Sequence, residues 1–440
     1  MNITIEKMIY GGDGLGRLPA NEQGQGKAVF VPFVLTGEEV SVSVVEERPG
    51  YARARLQEVV AASPVRTVPP CPYFSRCGGC HYQHTSYDHQ LRIKSDILRE
   101  TLQRTAKLTL ESELQVHASE PWAYRNRTRL KVRSAPDFAL GYYAFGTHDL
   151  LPVEECPISS LLINRALETV WEIGRVGRVP GTLREVQFFA NHDDSALLLE
   201  LYIDRNAPPD DFRAFAEALR KVMPQVIGVV AFQSAASNEA EGDRAPLLNS
   251  LTGPGLAFGE NQLAYKVGDN EYRVSAGSFF QTNRFLASKL LELVTGGRKG
   301  GTALDLYAGT GLFTVPLSRT FERVTAVESA VFSYSDLKHN TPRGSRAIHG
   351  STDEYLSKIA GNSRFDLVVV DPPRSGLGER TARALSRLKT PRLTYVSCDP
   401  STLSRDLRVL LESGFRVEQA HLVDLFPQTF HMESVFQLVR

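Results

Sequence analysis

The chain has 440 residues, 42% hydrophobic and 23% charged, which excludes a disordered, collagen-like or coiled-coil protein and predicts two to four domains at roughly 100 to 200 residues each. The opening MNITIEKMIYGG has no signal-peptide core, and no run of about 18 apolar residues occurs, so a cytoplasmic protein without a membrane partner is expected. Fifty basic residues balance fifty acidic ones, yet the charge is uneven: Lys266 to Arg440 holds 23 basic and 18 acidic residues, and Cys71 to Arg133 holds 11 and 6.

Residues 1–62 carry short β-rich runs (AVFVPFVL, EVSVSVVEE, YARARLQEVV) between glycine-rich turns, a pattern that predicts a small five-stranded barrel. Ala61 to Pro70, with three prolines, reads as a linker. A central domain over 68–265 follows, with a helix over Asp88 to Leu110 that could pack on the next domain. Strands then mix with helices near Leu161 to Val176 and Pro209 to Met223, and Gln233 to Pro246 reads as a surface loop. Within this domain Arg125, Arg127, Arg129, Lys131 and Arg133 occupy every second position, hence one face of a strand. Five cations without an acid would repel one another unless a polyanion approached, so this face is expected to meet RNA phosphates. From 266 to 440, apolar strands alternate with helices, the signature of a parallel α/β sheet.

Four of the five cysteines group as CPYFSRCGGC (Cys71, Cys77, Cys80) plus Cys156. A reducing cytoplasm disfavours disulfides, so the thiolates point to a metal centre. Structural zinc usually uses two close cysteine pairs and only one is present, which favours an iron–sulfur cluster over zinc.

TALDLYAGTGLFT runs from an apolar strand into a glycine turn. Gly309 and Gly311 let a ligand approach the strand's carboxyl end, and Glu328, at the end of the next strand, stands where an acid grips ribose hydroxyls. A nicotinamide fingerprint would want a third glycine at Thr314, so S-adenosylmethionine fits better. FDLVVVDPPRSG presents Asp371 rigidly at a strand end before two prolines. Arg374 stands where amino-group methylases carry an aromatic residue, which weakens that alternative.

LTYVSC ends a strand at Cys398, and the helix that follows begins near Ser401 or Thr402. Helix-terminal amides would lower the thiol's pKa, as a nucleophile requires. Near the C-terminus Glu433 is a lone acid among apolar neighbours, hence a partly desolvated base, whereas His431 reads as a packing histidine.

DLYAGTG, VVDPPRSGL, YVSCDPSTLSRDL and VDLFPQTFHMESV, in that order, resemble the motifs of the RNA uracil-5 methyltransferase family, and SAGSFFQTN resembles its F-F-Q-x-N element. The resemblance spans nearly the whole chain. It implies a Rossmann-like class I methyltransferase domain, preceded by a small OB-like β-barrel (TRAM) and a mixed α+β domain with a [4Fe-4S] cluster on the four cysteines. The branch with that cluster modifies 23S ribosomal RNA, which implies RNA, and 23S rRNA in particular, as the partner of a monomer. Carried over by residue, Gln281, Tyr307, Glu328 and Asp371 would hold S-adenosylmethionine, Cys398 would attack the uracil and Glu433 would remove its proton. Leu312 departs from the asparagine common after the second glycine. Transfer RNA as substrate, an exocyclic-amine methylase and a non-catalytic RNA-binding protein are the alternatives.

Overall fold

The computed structural model describes residues 1–19, 26–204, 208, 211–233, 256–359 and 363–440. At the N-terminus, β1 (Asn2–Met8), β2 (Asp13–Arg17), β3 (Ala28–Pro32), β4 (Glu39–Glu47) and β5 (Tyr51–Ala61) close a barrel in the order β1-β2-β3-β5-β4. Period-two alternation turns Ile3, Ile5, Val29, Val31, Val40 and Val42 inward as its core. The β1–β2 connection holds Gly11 and Gly12 at φ +109° and +93°, a region open to glycine without strain.

The helix Tyr87–Thr101 comes next and continues as a π-helical turn over Leu102–Ala106, so regular helix ends before Leu110. β6 (Gln115–His117) follows. A seven-stranded sheet is then built from β7 (Arg127–Arg133), β8 (Ala139–Tyr143), β9 (Leu150–Pro152), β10 (Leu183–Ala190), β11 (Leu197–Ile203), β12 (Val226–Gln233) and β13 (Leu256–Gly259). Its order is β13-β12-β11-β10-β7-β8-β9. The helices Leu161–Arg175 and Asp211–Val222 pack on it, burying Leu162, Leu167, Phe212 and Phe215 against Val186 and Leu199. The loop expected over Gln233 to Pro246 lies, beyond Gln233, outside the described residues.

The hairpin of β14 (Gln262–Val267) and β15 (Asn270–Ser275) leads into the C-terminal layers. Leu263, Tyr265, Tyr272 and Val274 share a core with Leu290, Leu312 and Phe313, so an expected seam between 265 and 266 falls inside β14, and the hairpin packs with the residues after it. The main sheet contains β16 (Gly300–Leu306), β17 (Phe321–Glu328), β18 (Arg346–His349), β19 (Leu367–Val370), β20 (Arg392–Ser397), β21 (Arg416–Val423) and β22 (Glu433–Val439). With β6 at one edge, the order is β18-β17-β16-β19-β20-β22-β21-β6. The first five strands are parallel, and β22 inserts antiparallel between β20 and β21.

The helix Tyr87–Thr101 belongs to these layers. Its Ile93, Ile97 and Leu98 join the core of Leu403, Leu407 and Leu410, and its buried Lys94 pairs with Asp424 at 2.6 Å. Among the described residues no helix is long and apolar enough to cross a membrane.

Candidate active site

Parallel strands present their carboxyl ends along one sheet edge, where doubly wound folds bind ligands. At the end of β16, Tyr307 adopts φ +59°, and Gly309 and Gly311 follow at +55° and +95°. Positive φ is strained for a tyrosine. A Cβ on Gly311 would come within 3.1 Å of Leu337, whereas the space beside Gly309 is open. At the end of β17, the Glu328 carboxylate accepts from the amides of Gly309 at 2.8 Å and Ala330 at 2.6 Å. Leu312 is buried in the core and its carbonyl accepts from Tyr272, so it turns inward.

Three acids crowd the next strand ends. Asp305, buried within β16, accepts from the Thr314 hydroxyl at 2.5 Å. Burial pushes its carboxyl up to about 7 against that hydrogen bond. Asp371, directly after β19, is raised by burial and by the charge of Asp305. Glu433 begins β22 and is raised well above the usual carboxylate range by burial and by Asp371. Its buried Oε1 has no hydrogen-bond partner among the described residues. An acceptor left unmatched in a protein interior is costly, and a ligand donor would satisfy it.

Cys398 follows β20 directly. The pairing of Ser397 with Ser434 in the β20–β22 ladder sets Cys398 and Glu433 at the same end of neighbouring strands. Asp399, two to three residues earlier than the expected Ser401 or Thr402, caps the helix Pro400–Glu412 by accepting from the Ser401 and Thr402 amides. The expected lowering of the thiol pKa is reversed: burial, then Glu433 and Asp371, push the Cys398 thiol up to about 12. Arg374 is the cation that opposes this rise and that of Glu433. Its guanidinium lies 3.4 Å from His431 Nε2. Desolvation and Arg374 keep His431 neutral, its pKa down to about 2, and its ring packs on Phe430 at 4.1 Å.

Gln281 is held by a different set of contacts. Its carbonyl accepts from Asn126 Nδ2 at 2.9 Å, and the Asn126 amide donates to Thr282. Asn283 donates to the Leu425 carbonyl, which ties this segment to the loop before Glu433.

Cys71, Cys77, Cys80 and Cys156 are all free thiols. Burial raises Cys77 to about 11, and the charges of Cys156 and Cys71 add to the rise. Cys80 is raised by burial and by the other three. Amide hydrogen bonds from Tyr73 and Phe74 to Cys71 and from Gly79 to Cys77 favour the thiolates. Thiols that accept from amides carry the donor chemistry of a four-thiolate centre. Among the described residues, however, no group of histidine, cysteine or acidic side chains is close enough together to hold a metal ion as it stands.

Comparison with known proteins decides the family. The tRNA (Uracil-5-)-methyltransferase family profile matches residues 86–440, and the TRAM domain profile matches residues 1–57. The chain belongs to the tRNA (uracil-5-)-methyltransferase family. An uncharacterized RNA methyltransferase of Aquifex aeolicus is 32% identical over 446 residues, covering 99% of this chain and 97% of its own. One of Thermotoga maritima is 29% identical over 455 residues, covering 100% and 98%. The solved Pyrococcus abyssi tRNA (uracil-54, C5)-methyltransferase, in complex with S-adenosyl-L-homocysteine, is 25% identical with a TM-score of 0.75, each chain covering 100% of the other. The protein is thus an RNA methyltransferase.

In this RNA methyltransferase the basic strand differs from expectation. Lys131 pairs with Glu185, its cross-strand neighbour on β10. Arg129 hydrogen-bonds Gln187 at 3.1 Å and the Tyr202 hydroxyl at 2.6 Å. The nearly buried Arg127 lies 3.6 Å from Glu200, stacks 3.9 Å over Phe189 and donates to the Ser278 carbonyl at 2.5 Å. Arg125 is half-buried beside Cys80 and Cys156. Acids and rings from other strands supply the compensation that a polyanion was expected to give, and Arg133 alone of the five is exposed. The face instead braces the segment carrying Gln281, because Glu200 also accepts from the Gly277 amide. Asp305 and Arg374 were the site residues without an assigned role. A buried acid in an apolar strand and a cation directly after two prolines were their available signals.

Proposed function

We propose that the protein methylates C5 of a uridine in RNA through a covalent adduct between Cys398 and uracil C6. The observation that carries this reading is the ladder pairing that puts a half-buried thiol at the same strand end as a buried carboxylate whose Oε1 has no hydrogen-bond partner among the described residues. Uracil C5 is too weak a nucleophile to take a methyl group unaided, and addition of sulfur at C6 turns it into an enolate carbon. Gln281, Tyr307, Gly309, Glu328 and Asp371 would hold S-adenosylmethionine, whose chemistry would be to offer C5 an electrophilic methyl group and depart as S-adenosylhomocysteine. Glu433, strengthened as a base by burial, takes the C5 proton, and the electrons of that C–H bond expel the Cys398 sulfur from C6. Arg374 favours the thiolate against Asp371 and Glu433. Reaching a strand-end thiol requires the base to leave its stack.

Cys71, Cys77, Cys80 and Cys156 would hold a [4Fe-4S] cluster, a rigid four-point crosslink that positions RNA-facing loops and takes no part in methyl transfer. Iron and sulfide content with the visible spectrum of anaerobically purified protein tests it, and zinc in their place would overturn it.

The substrate proposed is 23S rRNA. Transfer RNA is the second reading, favoured by the Pyrococcus abyssi enzyme, which acts on tRNA and matches this chain over its full length. Mapping 5-methyluridine in both RNAs from cells lacking the protein separates them. RNA containing 5-fluorouridine tests the chemistry, since fluorine blocks the elimination step. A stable protein–RNA adduct is expected with the wild type, and its persistence in Cys398→Ala would sink the nucleophile assignment.

A further inference from the structure

The N-terminal barrel reaches the reaction centre. Tyr10 lies in the β1–β2 connection just before Gly11 and Gly12, and its phenol donates to the Cys398 carbonyl over 3.4 Å. That is long for such a bond, of the kind that tightens when a site closes on substrate. The carboxylate of Asp399, the cap of the helix following the thiol, is near enough for its charge to act on the same phenol. Its ring meets Phe430 edge-on, with centroids 5.5 Å apart and planes at 90°, and Phe430 leads through His431 to Glu433. Behind the phenol, the turn is pressed onto the residue after Cys80: a Cβ on Gly12 would stand 2.9 Å from the His81 ring. His81 in turn packs on Phe430 at 4.6 Å. One side chain from another domain therefore touches both the loop bearing Cys398 and the loop leading to Glu433.

We propose that Tyr10 is a positioning residue for the methylation chemistry, holding the Cys398–Asp399 loop so that the sulfur meets uracil C6. The barrel then completes the catalytic centre. The proposal rests on Cys398 being the nucleophile. A misplacement of about 1 Å can slow a reaction about a hundredfold, and the loop's other anchors, the Ser397 and Thr402 hydroxyl bonds, lie within the catalytic domain. The phenol also disperses the charge of Asp399, which acts on the thiol together with Glu433, Asp371 and Arg374.

Full-length wild type, Tyr10→Phe, Tyr10→Ala and Cys398→Ala are compared in two assays. The first follows adduct formation with tRNA and 23S rRNA transcripts containing 5-fluorouridine, at saturating RNA. The second follows iodoacetamide alkylation of Cys398 against pH, read by mass spectrometry of its peptide, and needs no RNA. Tyr10→Phe keeps the ring and removes one neutral hydrogen bond, so adduct formation should slow roughly three- to tenfold with RNA affinity unchanged. Alkylation of Cys398 should move to higher pH, and Tyr10→Ala should slow the adduct further. Wild-type adduct rates and an unmoved alkylation profile in Tyr10→Phe would overturn the proposal, as would a Tyr10→Ala defect confined to RNA affinity. An adduct that persists in Cys398→Ala defeats the nucleophile reading itself. A negative Tyr10 result with Cys398→Ala inactive leaves that reading intact.

Discussion

The hydroxyl of Ser434 donates to the carbonyl of Ser397 at 3.2 Å, reinforcing the ladder pair that precedes the thiol on one strand and follows the carboxylate on the other. Sheet register therefore brings Cys398 and Glu433 to the same end of neighbouring strands, and the loop after Ser397 sets where the sulfur stands.

On the proposed mechanism, Glu433→Gln allows addition and methyl transfer but stops proton removal. Turnover should fall about 100- to 10,000-fold, the usual range for a lost general base, and a covalent complex should accumulate with ordinary uridine RNA. Denaturing gels with labelled RNA would show it, and unmodified free RNA alone would contradict the role.

Arg374→Ala removes the cation that opposes the rise of the Cys398 thiol. For each unit of further rise, the thiolate fraction at neutral pH drops about tenfold. Adduct formation should slow accordingly and recover at higher pH. A uniform loss at every pH would mean that Arg374 serves binding alone.

Asp371 has its folded-state pKa raised from 3.8 to about 7. For an acid, that direction means the unfolded chain releases its proton first, so stability is lost as pH rises from about 4 to about 7. Asp371→Asn escapes this loss. Without S-adenosylmethionine, the variant's melting temperature should match the wild type near pH 4 and exceed it by a growing margin up to pH 7 or so. A difference independent of pH would refute the assignment, and activity should be lost at any pH.

Arg129 and Lys131 spend their charge on Gln187, Tyr202 and Glu185. Arg129→Gln is therefore expected to lower the melting temperature and leave the salt dependence of RNA binding unchanged. A salt slope reduced by about 0.7 to 0.9, one phosphate contact, would return the strand to the RNA interface.

Motifs at strand ends made the catalytic half of the fold legible, because Gly-x-Gly, Asp-Pro-Pro and Ser-Cys-Asp each mark where an apolar run stops. Electrostatics was not legible in the same way. A helix N-terminus next to Cys398 suggested a lowered thiol pKa, but Asp371 and Glu433 lie 27 residues before it and 35 after it in the sequence, and only folding brings their charges to bear. The alternating cations of Arg125 to Arg133 misled for the same reason, since Glu185 and Glu200 arrive on other strands. Tyr10 carries no local signal at all: its place depends on how a barrel docks against a domain far down the chain.

The pairing of Lys94 with Asp424 spans 330 residues. At about 5 to 20 residues per second of synthesis, the helix Tyr87–Thr101 and strand β6 wait on the order of tens of seconds for the partners that cover them. The catalytic layers thus cannot mature vectorially, from the N-terminus onward, but only once nearly the whole chain has left the ribosome. A fragment beginning at residue 266 should be aggregation-prone when expressed alone, lacking both the helix that seals its core and the strand that closes the β21 edge.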